Sequence, residues 1–166
     1  GIGQWMVWSL GDASCGYSGP LWQFGFAPPL ATDDVDHDGI PDSWERYYFG
    51  SLNPVNGSTD RDSDGSKDWK EWVAGTSPTN RLDFFKVGTC SLGPVNLDGI
   101  PSNVFEWQSV TGRTYTIYYT TALQHQTTVW TLLDQVAGTG GTISYTNAWP
   151  DPEGFYFLDV SVPAGP

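Results

Sequence analysis

The sequence predicts a mainly β protein, with an antiparallel sandwich preceded by a small acidic loop–helix pair and an apolar N-terminal strand segment. Three observations carry this expectation. Beyond about residue 81, apolar and polar side chains alternate over short runs, which is the period of half-buried strands. Glycine and proline are frequent, at 20 and 12 of 166 residues, so turns come often. Between Asp34 and Glu71 an acidic, glycine-centred pattern occurs twice. The chain divides accordingly into residues 1–32, a strand segment; 33–80, two loop–helix units; and 81–166, the sandwich domain.

In the first segment Trp5, Val7 and Ser9 alternate with Met6, Trp8 and Leu10. A Gly-rich turn is expected over Gly11 to Gly19, and a second run then places Trp22, Phe24 and Phe26 on one face. Asp12 is the segment's one charged side chain. Exposed apolar strands of this kind aggregate unless they are paired. Either the chain's own C-terminal domain or a neighbouring molecule has to cover them.

The acidic pattern reads Asp34, Asp36, Asp38, Gly39, Ile40, Asp42 and Glu45 in its first copy, and Asp60, Asp62, Asp64, Gly65, Ser66, Asp68 and Glu71 in its second. Each copy places carboxylates at positions 1, 3, 5 and 9 of a twelve-residue loop, glycine at 6 and glutamate at 12. A hard cation needs about six to eight oxygens, and alternate residues of a tightly turned loop can point them inward. Ile40 and Ser66 would offer backbone carbonyls, while Glu45 and Glu71 would close each shell with two oxygens. Without an ion, five carboxylates per loop would repel one another. The predicted cofactor is two Ca2+ ions, magnesium being more demanding of octahedral geometry. The alternative is a pair of solvated acidic loops.

A short amphipathic helix should follow each loop. Trp44, Tyr47 and Tyr48 lie at i, i+3 and i+4, and Trp69, Trp72 and Val73 repeat that spacing. Gly50 and Gly75 should end the helices. Pro28 and Pro29 before the first loop, and Pro54, Asn56 and Gly57 before the second, exclude a preceding helix, leaving half of an ordinary EF-hand.

The run DVDHDGIPDSWERYYFG, with NPVNGSTDRDSDGSKDWKEWVAGTSPTN after it, resembles the dockerin-like or thrombospondin type 3 calcium repeats of secreted bacterial proteins over residues 33–80. The resemblance implies rigid calcium-dependent spacers or docking modules.

Six strands are expected after the turn at Ser77 to Asn80, near 82–88, 103–110, 113–120, 128–136, 141–147 and 154–162. Tyr115, Ile117 and Tyr119 should face one way and Thr114, Thr116 and Thr120 the other. Tyr156, Leu158, Val160 and Val162 should share a face. Thr111-Gly112 reads as a tight connection, and Gly138 to Gly141 as a hairpin turn. The stretch FEWQSVTGRTYTIYYTTAL, followed by VWTLL, GTGGTISYTN and GFYFLDVSV, resembles an immunoglobulin-like β-sandwich module of secreted bacterial proteins. That resemblance implies a structural or cell-surface element and brings no catalytic residues.

Composition narrows the function classes. A formal charge of -12 excludes a basic nucleic-acid footprint, and ten of the nineteen acidic residues lie in the two loops. No stretch is apolar for long enough to span a membrane as a helix. Gly1 in place of Met suggests a mature chain freed of a signal peptide, hence an extracellular or cell-surface location, and a piece cut from a longer chain would look the same. Cys15 and Cys90 could then form a disulfide, the alternative being two buried thiols. Asn56-Gly57-Ser58 is a formal glycosylation sequon.

No catalytic constellation is evident, and the chain is read as not an enzyme. His37 falls inside a loop and His125 in a polar turn. Glu106, Asp134, Asp151, Glu153 and Asp159 supply carboxylates without a recognisable facing pair.

Two function classes remain. One is a self-associating subunit, a homopolymer in an extracellular filament or surface assembly, in which residues 5–26 complete a neighbour's sheet by strand donation. Pairing of those residues within their own chain is the alternative. The other class is a calcium-stabilised carbohydrate-binding or anchoring module of a larger secreted protein, its nine tryptophans and eight tyrosines stacking on sugar unless they pack in the core.

Overall fold

The computed structural model describes residues 2–9, 12–20, 33–52, 56, 58–95, 97, 99, 101–124, 128–147 and 153–162, and for 2–9, 12–20, 101 and 153 the backbone alone. The chain forms two units. One gathers Gly1–Ile2, Phe24–Phe85 and Ser161–Pro166, and the other Gly3–Gln23 and Lys86–Val160.

Among the described residues, the first unit contains both acidic loops and two short helices, α1 (Asp42–Phe49) and α2 (Asp68–Ala74). Gly50 and Gly75 end them in the left-handed conformation, at φ 73° and 77°, a region open to glycine without a Cβ clash. The Gly50 N–H donates to the carbonyl of Arg46 and that of Gly75 to Glu71. The apolar stripe expected of α2 is buried at Trp72 and Val73, with Ala74 beside them. That of α1 is only half realised. Trp44 and Tyr48 stack at 4.8 Å between ring centroids, whereas Tyr47 is 80% exposed. The Arg61 guanidinium lies over the Phe49 ring at 5.7 Å, tying the second loop to the end of α1.

Among the described residues, the second unit is mainly β, with eight strands in two sheets. They are β1 (Ile2–Ser9), β2 (Asp12–Pro20), β3 (Val87–Val95), β4 (Pro101–Gln108), β5 (Thr114–Thr120), β6 (Thr131–Ala137), β7 (Thr142–Asn147) and β8 (Glu153–Ser161). The five-stranded sheet has the order β2-β1-β8-β5-β6 and the three-stranded sheet β3-β4-β7. The pairs β1/β2, β3/β4, β4/β7 and β5/β6 are antiparallel.

The core lies where the alternation placed it. Tyr115, Ile117 and Tyr119 of β5 and Tyr156, Leu158 and Val160 of β8 are buried, as are Phe105 and Trp107 of β4. Rings meet from one sheet to the other, Phe105 with Tyr156 at 4.6 Å and Trp107 with Tyr115 at 5.7 Å. The Tyr156 hydroxyl accepts from the side-chain amides of Asn103 and Asn147, each at 2.9 Å.

Three expectations need correction. The strand expected at 82–88 lies at Val87–Val95 instead. Leu82 is 77% exposed, and residues 80–83 form a turn in which Asp83 N–H donates to the Asn80 carbonyl. Pairing with β4, as of Cys90 with Phe105, defines the strand despite its Gly and Pro content. Gly93 is required there, since a Cβ would stand 2.5 Å from both Ser102 Oγ and Val104 Cγ2.

Gly11 to Gly19 is not merely a turn, because β2 occupies Asp12–Pro20 and pairs with β1, Met6 opposite Tyr17. The second apolar run at Trp22, Phe24 and Phe26 lies outside the described residues. Gly138 to Gly141 is no hairpin, since it carries the chain from β6 in one sheet to β7 in the other. Thr111-Gly112 is the tight connection expected, with Arg113 N–H donating to the Val110 carbonyl, and it too joins strands of different sheets. The two crossings are laced together, with Ser109 N–H donating to the Gly141 carbonyl at 3.0 Å and Gly138 N–H to that of Arg113 at 2.8 Å.

Strand β2 carries Cys15 and lies against β3, which carries Cys90, while the Cys15 side chain is outside the described residues. Among the described residues no helix is long and apolar enough to cross a membrane.

Candidate metal centre

The two loops repeat one backbone design. Position 4 is left-handed in both, His37 at φ 60° and Ser63 at 62°, and position 6 is glycine at φ 91° and 97°. These positive angles curl the chain so that the aspartates on either side converge. Backbone N–H groups inside the curl then hold the carboxylates. Asp34 accepts from Asp38 N–H at 3.2 Å and Gly39 N–H at 3.0 Å, and Asp60 from Gly65 N–H at 3.0 Å. Asp38 Oδ1 accepts from Ile40 N–H and Asp64 Oδ1 from Ser66 N–H, at 2.9 and 2.6 Å.

Asp38, Asp60 and Asp64 each bind the loop through one oxygen and leave the other over, whereas Asp34 uses both. Single oxygens of Asp34, Asp36 and Asp42 lie within 4.8 Å of one another, as do those of Asp36, Asp38 and Glu45, and those of Asp60, Asp62 and Asp64. Glu45 and Glu71, on the first turns of α1 and α2, are 0% exposed, and neither oxygen of either carboxyl has a hydrogen-bond partner. Asp38 Oδ2, Asp60 Oδ1, Asp62 Oδ2 and Asp64 Oδ2 are buried and partnerless too. Buried carboxylate oxygens without donors are costly, and they are rare in a native fold unless something else binds them.

Proton affinities register the same crowding. Burial pushes Glu45 up to about 7 and Glu71 up to about 9, with the neighbouring loop aspartates adding repulsion. Asp38, Asp62 and Asp64 are raised as well, burial again being the main cause. A hard divalent cation would relieve both strains, taking up the orphaned oxygens and cancelling the repulsion.

Asp42 and Asp68, at position 9, differ from the other acids. Asp42 Oδ1 accepts from Val35 N–H at 2.9 Å and its Oδ2 from Arg46 at 2.8 Å, in an ion pair. Asp68 Oδ1 accepts from Arg61 N–H at 3.0 Å and its Oδ2 from the Thr59 hydroxyl. Both carboxylates clasp the start of their loop to its end. Their own N–H groups complete the clasp, donating to the carbonyls of Asp33 and Thr59. Those two residues fall outside the motif because they precede it. Their one signal is an equivalent place, immediately before each copy. Ile40 and Ser66 occupy position 7 of the two loops, and the Ile40 side chain is fully buried.

His37 is exposed within its loop, and His125 lies outside the described residues. No family model matches this chain, and no curated protein or solved structure does.

Proposed function

We propose that the chain is a non-enzymatic, calcium-binding structural module of an extracellular or cell-surface assembly. The observation that carries this reading is the pair of fully buried glutamates, Glu45 and Glu71, whose four oxygens lack partners, Glu45 converging with Asp36 and Asp38. Oxygen-only donors, and a glutamate at position 12 with two oxygens to offer, favour calcium over softer ions. Two ions would fix the loops and, through Glu45 and Glu71, the helices that follow them. The role is mechanical, a joint stiffened by calcium.

The β unit fits an immunoglobulin-like sandwich of the kind that builds surface proteins, its two sheets meeting through Phe105, Trp107, Tyr115 and Tyr156. Self-association through the N-terminal segment takes a definite form here. Strand β1 stands beside β8 in its own chain, so donation between copies means exchange of the β1–β2 hairpin into a neighbour's sheet. Electron microscopy of the purified chain, in millimolar calcium and again in chelator, tests the assembly. Fibres that need calcium and disappear on deletion of residues 1–20 support it. Dispersed particles at high concentration in both conditions count against it.

A carbohydrate-binding module is the second reading. It draws on Tyr118, Phe157 and Trp130, half-buried neighbours whose ring centroids lie 5.8 and 5.6 Å apart in sequence along the cluster. Trp72 and Trp107 are core residues and offer no platform. Retention on insoluble polysaccharide, lost when Trp130 is changed to alanine, would favour this reading.

A further inference from the structure

The two loops share a motif and differ in how much of the cation shell stands ready. In the second, Asp60 Oδ1, Asp62 Oδ2, Asp64 Oδ2 and both oxygens of Glu71 are buried and partnerless, so positions 1, 3, 5 and 12 all present an oxygen. In the first, the equivalent set is Asp38 Oδ2 with both oxygens of Glu45. Asp34 has both oxygens accepting backbone N–H groups, and Asp36, although one of its oxygens lies within 4.8 Å of those of Asp38 and Glu45, is an exposed side chain that has to be ordered.

The glutamates also sit on unequal supports. Glu71 projects from a helix whose next three residues, Trp72, Val73 and Ala74, are buried, whereas α1 buries only Asp42 and Glu45. Nearby cations do not decide between the sites, since Arg46 pairs with Asp42 at the first and Arg81 bears on Asp62 and Asp64 at the second.

We propose that the loops fill in order, Asp60–Glu71 first and Asp34–Glu45 second. The inference rests on the calcium reading and adds inequality to it. Ligands already in place bind without a further ordering cost, and immobilising one or two extra side chains is worth about tenfold in affinity. The second loop is the resident structural site, and the first is the one whose occupancy follows calcium concentration.

The test is a calcium titration of the full chain followed by the amide resonances of Gly39 and Gly65, each hydrogen-bonded to the position-1 aspartate of its own loop. Gly65 should shift at about tenfold lower free calcium than Gly39. Glu71→Gln should abolish the earlier transition and leave the later one, and circular dichroism should confirm that the variant is folded. Coincident transitions, or Gly39 shifting first, would overturn the order while leaving calcium binding intact. If neither amide responds, the calcium reading fails and the order with it.

Discussion

The backbone N–H of Arg61 donates to the carboxylate of Asp68, seven residues on, at 3.0 Å. Val35 and Asp42 form the same bond at 2.9 Å in the first loop. The ninth position of each motif therefore closes its loop. Replacing Asp68 with alanine should destabilise the loop unit by about 1–3 kcal/mol even without calcium, because two donors lose their acceptor. Asp68→Asn, which keeps one carbonyl oxygen, should cost less. Denaturant unfolding in chelator measures the difference, and equal losses would contradict the clasp.

Glu71 should show a reversal of sign. In chelator at neutral pH, Glu71→Gln should stabilise the protein by on the order of 1 kcal/mol, since a neutral amide replaces a buried acid surrounded by aspartates. In saturating calcium the same substitution should destabilise it, because one ligand oxygen and its charge are gone. Thermal melts in both conditions decide the matter, and destabilisation in both would mean that Glu71 serves packing alone.

The pH dependence follows from Glu45 and Glu71, whose folded values rise from 4.5 to about 7 and about 9. The calcium-free fold holds protons that the unfolded chain has released. Its stability is fully present below about pH 4.5 and is lost as pH rises through 7 towards 9. Calcium competes for the same oxygens, so its affinity should rise over that window and fall in acid. Melting temperature against pH, with and without calcium, should give curves of opposite slope between pH 5 and 8. Parallel curves would place these protons elsewhere.

In the β unit, Tyr156→Phe should cost about 1–3 kcal/mol, because the buried Asn103 amide and the part-buried Asn147 amide would both lose their acceptor. Chemical denaturation measures this. A loss of a few tenths would show that the amides find other partners.

The loops were legible because their information is local. The carboxylate spacing, Gly39 and Gly65 at the tight turn, and Gly50 and Gly75 at the helix ends all act within a few residues. Strand alternation in β5 and β8 was legible for the same reason, each core-facing tyrosine being two residues from the next core position. The position of β3 was not, since Phe84 and Phe85 look more strand-like than Val87–Val95 and only pairing with β4 decides. Nor was the sheet change at Gly138 to Gly141, where bonds to Ser109 and Arg113, roughly 25 to 30 residues away, direct the chain. Within the motif, spacing showed which residues are acidic and could not show that Asp42 and Asp68 already have their donors.

The most direct test of the central claim is titration calorimetry of calcium into the full chain after chelation. Two ions per chain are expected, falling to one in Glu45→Gln and one in Glu71→Gln, with none in the double variant. Absence of binding to the wild-type chain, or two ions retained by the double variant, would contradict the account.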